Sequence, residues 1–270
     1  LEVLLVMYDV HGSIPAWTGS VRTLLPMDPH KTELLALLED VPALVEVRGL
    51  LRRNGTSLVM SETSEVSGFV FAPDHDLAAG FGQPEPGLGA ALGAAARAAG
   101  IEPGQLRIRA DAGVMEAWCA AGAGASAEVV EVFTWSGAAE ALAALAGRHE
   151  ARILTRGDES VQDLPGHMRR ELEGLESWPA AAVATAGGEP VAMAYAFVET
   201  ETLWDVSVAT EAAFRREGFG ACAAAALMLD RAGVGLAPVW SVSSTNRASI
   251  ALAERLGFVP AARWGGWRLP

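Results

Sequence analysis

The chain is poor in cysteine, with only Cys119 and Cys222 among 270 residues. Two thiols cannot build the disulfide framework of a small secreted domain, so a reducing cytoplasm is the expected compartment. Positive charge is also scarce: 20 Lys and Arg stand against 33 Asp and Glu, a formal net charge of −13. Nucleic acid needs a clustered basic surface and an anionic membrane needs the same, so neither is an expected partner. No apolar run is long enough to span a bilayer. The opening LEVLLVMYDVHG lacks a basic start and meets Asp9 early, which reads as a strand rather than a signal peptide. The five histidines are scattered. Asp74-His75-Asp76 follows Pro73, and adjacent residues rarely reach one metal together, so it reads as a solvated loop and no metal site is expected. Small residues abound without a fixed period, which excludes a repeat array.

What is present suffices for folded domains. At 51% hydrophobic and 20% charged the chain can bury a sizeable core, and its length fits two modest domains. Residues 1–150 read as an α/β accessory domain. DPHKTELLALLED is a helix with Asp28 as N-cap and Pro29 in its first position. TSLVMSE, SGFVFAP, QLRIRAD and EVVEVFTW read as strands. FGQPEPGLG is a loop, GAALGAAARAAG a helix closed by Gly100, and GAAEALAALAGRH a helix ending near Gly147. The polar turn TRGDES opens a second domain, residues 151–270, with a helix entered through Pro165-Gly166. WPAAAVATA, the turn GGEP and VAMAYAFVE form a hairpin, and TLWDVSVAT is a third strand. A loop and a helix follow over 215–232, with Leu227 and Leu229 expected in the core. PVWSV is a strand, NRASIALAERLG a helix and FVPAARWGGWRL a final strand or pair, giving the order β-β-β-α-β-α-β.

The segment FRREGFGACAAAALMLDR, 214–231, carries the chemistry. A helix N-terminus presents unpaired N–H groups and a partial positive charge, and so attracts anions. Gly218 and Gly220 let a phosphate approach the backbone, and Arg215 and Arg216 add charge. Gly218, Gly220 and Ala223 match a dinucleotide fingerprint, but the glycines do not follow directly on a strand and the next strand ends in serines rather than an acid. No Lys-Ser/Thr follows, which excludes a P-loop. A glycine-rich helix entry without a ligand stays open as an alternative.

Arg215, Gly218 and Gly220 also fit R/Q-x-x-G-x-G/A, and downstream NRASIALAERLGF sets Asn246 and Ser249 at a helix start. Together, in this order and with a strand between them, these motifs resemble the GCN5-related N-acetyltransferase (GNAT) family, over residues 180–262. The resemblance implies a mixed, mostly antiparallel sheet flanked by helices, and acetyl-CoA as co-substrate. The strand before the loop is splayed in that family, often at a β-bulge. The resemblance therefore assigns the pantetheine arm to the backbone of Val206, Ser207 and Val208. It assigns the pyrophosphate to Arg215, Arg216, Glu217, Gly218, Phe219, Gly220 and Ala221, and further cofactor contacts to Asn246 and Ser249. The family's usual general-acid tyrosine falls at Ala253, a departure that puts catalysis, though not cofactor binding, in question. Glu201 and Asp205 are the carboxylates near the splay and the candidates for the base. Each also reads as a strand-end or surface charge. Cys222 reads as a small core residue rather than a nucleophile. Trp240 with Ala253-Glu254 resembles a bacterial branch related to antibiotic self-resistance acetyltransferases, where an extra domain precedes the catalytic one.

The expected activity is N-acetyl transfer from acetyl-CoA to a primary amine of a small molecule or peptide. A non-catalytic acyl-CoA-binding or sensing module is the alternative, and a nucleotide-cofactor oxidoreductase the third. Residues 1–150 would be an accessory domain or a degenerate second copy of the fold, covering one side of the acceptor site or building a homodimer.

Overall fold

The computed structural model describes residues 2–3, 20–23, 29–53, 56–60, 67–73, 76–83, 87–102, 104–112, 117, 128–173, 175 and 180–268. Asp28, Asp74, His75, Cys119 and Trp178 lie outside the described residues. The chain forms two compact units. The first comprises Leu1–Glu39, Glu46–Val130 and Arg263–Pro270, and the second Asp40–Val45 and Glu131–Ala262.

The first unit holds strands β1 (Glu2–Val3), β2 (Ser20–Thr23), β3 (Ser57–Met60), β4 (Gly68–Ala72), β5 (Leu77–Phe81) and β6 (Arg107–Asp111). Its helices are α1 (Pro29–Leu37), α2 (Val45–Arg52) and α3 (Leu88–Ala98). Strands β1 to β5 pair antiparallel in sequence, and β5 pairs with β6 in parallel. The carboxy-terminal residues Trp264–Arg268 then pair antiparallel with β6. Period-two alternation sorts β6: Ile108 and Ala110 are buried with Leu88, Leu92 and Ala96 of α3, while Arg107 and Arg109 take the other face.

The second unit begins within β7 (Glu128–Trp135). It continues with α4 (Ala139–Ala146), β8 (Glu150–Leu154), α5 (Gly166–Glu173), β9 (Ala181–Ala186), β10 (Glu189–Glu199) and β11 (Leu203–Thr210). Helix α6 (Phe219–Ala232), β12 (Ala237–Ser243), α7 (Arg247–Arg255) and β13 (Phe258–Arg268) complete it. Strands β8 to β11 pair antiparallel, and β11 pairs with β12 in parallel. The β-β-β-α-β-α-β order expected over 180–268 is present. Strands β2, β5 and β8 and helix α2 are additional. The Ala/Gly-built LAAGF has no β-branched residue to mark a strand, and EARIL is too short for its alternation to stand out.

Helix α6 is buried on most of its circumference, with Phe219, Cys222, Ala223, Ala224, Leu227 and Met228 in one core with Trp204, Val206 and Trp240. Alanines let it approach strands and α4 closely. Leu229 corrects the expectation: it is 37% exposed. Two residues of helix rotate it about 200° from Leu227, onto the solvent side. The opposite face of the same sheet packs Met193 and Tyr195 of β10 under Met168 and Leu172 of α5. Among the described residues no helix is long and apolar enough to cross a membrane.

Candidate functional site

Strands β11 and β12 start side by side and then part. Their parallel ladder has three pairs, Leu203↔Ala237, Trp204↔Pro238 and Asp205↔Val239. Strand β11 runs on to Thr210, and its other edge stays paired with β10 from Val206 to Thr210. The register irregularity expected near the splay lies on β10, between Ala196 and Glu199. Asp205 stands at the fork, 5% exposed. Its Oδ1 accepts the Ser241 backbone N–H at 3.0 Å, so a carboxylate replaces the ladder partner that β12 loses on leaving β11.

The loop after β11 leads into α6. The Arg215 guanidinium Nε donates to the Thr210 carbonyl at 3.3 Å. Arg216 adopts φ +70°, and Gly218, the N-cap, φ +100°. Left-handed backbone is costly for a residue with a Cβ, so Gly218 meets a real requirement and Arg216 carries local strain. The first turn of α6 leaves its leading N–H groups without helical acceptors; the Cys222 N–H is the one that reaches back to the Gly218 carbonyl. A Cβ on Gly220 would stand 2.8 Å from Thr210 Oγ1 and 3.3 Å from Val208 Cγ1. The absent side chain is what lets the helix end lie on the strand. Phe219 is buried, stacked on His149 with ring centroids 3.9 Å apart, and His149 Nε2 lies 3.1 Å from the Glu217 carbonyl. Arg215, Arg216 and Glu217 are exposed, and Ala221 is buried.

Helix α7 begins where the sequence indicates. Asn246 is its N-cap, with Oδ1 accepting the Ser249 N–H at 3.2 Å. The Ser249 hydroxyl in turn accepts the Trp240 indole N–H at 3.0 Å. Ser249 and Ala253 are i and i+4 on one helix face. Ala253 is fully buried in the cluster that contains Trp240. The indole therefore lies along the face where the resemblance puts a tyrosine.

A polar group lies on the α5 side of the sheet. The Tyr195 hydroxyl donates to Glu171 Oε2 at 2.8 Å, and Ser207, its cross-strand neighbour, hydrogen-bonds the same phenol. Burial, then the Glu171 charge and hydrogen bond, hold the phenol well above its ordinary value. Glu201 is exposed in the turn before β11, at the paired end of the strand. It precedes β11 by two residues and Asp205 by four. Burial pushes the Cys222 thiol up, and its Sγ donates to the Ala146 and His149 carbonyls. That environment fits a core thiol. Glu171 and His149 carry no local signal that ties them to the loop or to Tyr195; contacts 24 and 68 residues apart make them part of the site. Among the described residues no group of three His, Cys, Asp or Glu could hold a metal ion.

A three-pair ladder thus opens into a fork, and a glycine-capped helix follows it. Comparison with known proteins adds a family. Residues 181–266 match the model of the GNAT acetyltransferase family. The fold is similar to that of a GCN5-related N-acetyltransferase-like protein from Streptococcus suis. The TM-score is 0.65 and the identity 16%, over 88% of this chain and 98% of that one. It is also similar to a tandem GNAT protein from the clavulanic acid biosynthesis pathway, with TM-score 0.54, identity 14%, and 93% and 98% of the two chains covered. A GCN5-related N-acetyltransferase from Kribbella flavida gives TM-score 0.53 and identity 17%, over 84% and 94%. At these identities the likeness is one of fold. Comparison with curated proteins gives no match.

Proposed function

We propose that the protein is an acyl-CoA-dependent N-acyltransferase. In this reading it moves an acetyl group from acetyl-CoA to a primary amine of a small molecule or peptide in a ternary complex, and it works in the cytoplasm. The carrying observation is the fork: β11 keeps its β10 partner through Thr210 but loses β12 after Asp205, and the loop 211–217 then leads to the Gly218-capped end of α6.

The residues present fit the co-substrate. The β12-side edge of Val206, Ser207 and Val208 would take the pantetheine arm in place of the missing ladder, as a peptide adds to a sheet edge. The leading N–H groups of α6 and the exposed Arg216 would hold the pyrophosphate, and Gly220 lets that helix end lie against β11. Asn246 is exposed beside the arm's path, while Ser249 acts through Trp240. Acetyl-CoA supplies the electrophilic thioester carbonyl.

The chain's own groups then divide the work. Asp205 is a positioning residue, because its Oδ1 is committed to the Ser241 N–H that sets the fork. Glu201 lies in the turn before β11, at its paired end. Glu171, exposed and bonded to Tyr195, is the carboxylate able to accept a proton from an arriving ammonium on the α5 side. Ala253 has no proton to give, so the leaving thiolate is protonated by solvent. Calorimetric titration with acetyl-CoA, free CoA and NADH tests the cofactor, and thiol release against polyamine, aminoglycoside and peptide amines tests the chemistry. Saturable CoA binding without NADH binding, followed by amine-dependent thiol release, is expected. No CoA binding at millimolar concentration would return the glycine loop to a structural turn.

A further inference from the structure

The first unit gathers cations in a chain that is short of them. Arg107 and Arg109 are i and i+2 on β6, and the antiparallel register sets Arg268 directly across from Arg107 and Gly266 across from Arg109. Three guanidiniums thus share one side of a two-strand ribbon, and like charges placed opposite each other destabilise a sheet. Gly266 adds no side chain, and a Cβ there would stand 3.4 Å from the Cβ of Glu128 and 3.7 Å from its Oε2, so Glu128 borders the space. The result is a half-open hollow of about 130 Å³, lined by the three arginines, Gly266, Trp267 and Glu128. The hollow has room for a small polyatomic group.

The guanidiniums are held in different ways. Glu46, buried, meets Arg109 Nη1 at 2.7 Å through Oε1. Arg268 donates through one nitrogen, Nη1, to two neutral acceptors, the Gly104 and Gln105 carbonyls at 3.0 and 3.1 Å. It makes no ion pair with any described carboxylate. Glu128 lines the hollow yet is ion-paired to none of the arginines. Partial burial and the guanidinium of Arg109, followed by that of Arg268, hold Arg107 below its ordinary value against the opposing pull of Glu46 and Asp76. Such crowding is what an anion relieves, and a guanidinium fork matches an oxyanion with two parallel hydrogen bonds.

The geometry points to a binding site for a small dianionic oxyanion, of the phosphate or dicarboxylate kind, held by Arg268 and Arg107 above Gly266. The site belongs to the first unit alone and does not depend on acyl transfer in the second. The test is calorimetric titration of the full chain with inorganic phosphate and, separately, with succinate, each with and without saturating CoA. Saturable binding that survives CoA is expected, weakened about tenfold or more in Arg268→Gln, since a charge-assisted hydrogen bond is lost. Gly266→Val keeps all three charges but fills the floor of the hollow, and should weaken binding with an unchanged circular dichroism spectrum. Tighter phosphate or tighter succinate binding would name the natural chemistry. The proposal is overturned if both variants bind as the wild type does. It is equally overturned if binding does not saturate, or if it is lost in Arg216→Gln and spared in Arg268→Gln, which would put the anion at the loop of the second unit.

Discussion

The two units use the same local plan to different ends. In each, three antiparallel strands lead to a helix and then to a strand parallel to the last, β3-β4-β5-α3-β6 and β9-β10-β11-α6-β12. Each parallel ladder has three pairs. Each helix follows a left-handed glycine N-cap, Gly87 at φ +90° and Gly218 at φ +100°, and opens with related sequence, Gly87-Leu88-Gly89-Ala90 and Gly218-Phe219-Gly220-Ala221. The residues before the glycines differ. The second unit has Arg215-Arg216-Glu217 and the first Pro84-Glu85-Pro86. Prolines carry no N–H, and the first segment has no arginine to set against its glutamate. A shared backbone plan therefore does not make a shared site; the charge and donor count at the loop decide it.

The sharpest break of this comparison is stoichiometry. Acetyl-CoA should bind once per chain by calorimetry, and a second equivalent would mean that the first-unit loop also serves. Gly220→Glu should come next in size. Its Cβ overlaps Thr210 Oγ1 and its charge opposes pyrophosphate, so affinity should fall about a hundredfold or more. Unchanged affinity would remove the loop assignment.

Asp205→Ala leaves the Ser241 N–H without its acceptor at the fork and should cost about 1–3 kcal/mol in chemical denaturation, along with weaker acetyl-CoA binding. Asp205→Asn, which keeps an oxygen, should recover most of both; an equal loss in the two variants would point to charge rather than hydrogen bonding. Ala253→Tyr forces a ring into a filled core beside Trp240 and should destabilise by about 1–3 kcal/mol without raising turnover. A faster enzyme would show that the space is open.

The smallest effect is in Tyr195→Phe, about 1 kcal/mol from the lost bond to Glu171. It carries a pH signature. The folded phenol is raised above its ordinary value of 10.0, so its contribution is complete below that pH and is lost as pH rises toward the folded value. Wild-type stability should therefore decline above pH 10 more steeply than that of the variant, and parallel curves would count against the buried-phenol account.

Local pattern carried the second unit far. The hairpin, the third strand, the glycine entry to α6 and the Asn246 cap all rest on neighbours within a few residues, where turn chemistry and the 2.0 and 3.6 periods act. The first unit was less legible, because LAAGF lacks β-branched residues and VEVRGLLR mixes them with a glycine inside a helix. Leu229 shows the limit inside a well-read helix: composition indicated an apolar run, but only the rotation of the helix against its strands decided which leucine faced solvent.

The amino-acid sequence by itself determined the order of elements from β9 to β13 and the glycine entry to α6, because these depend on short-range geometry and on residue type. Tertiary structure alone decided that Asp205 holds the fork, that Trp240 lies along the helix face of Ala253, that Tyr195 meets Glu171, and that Arg268 stands across from Arg107. Arg268 and Arg107 are 161 positions apart. Their meeting depends on strand register, which a one-residue slip would reverse by turning every side chain to the other face.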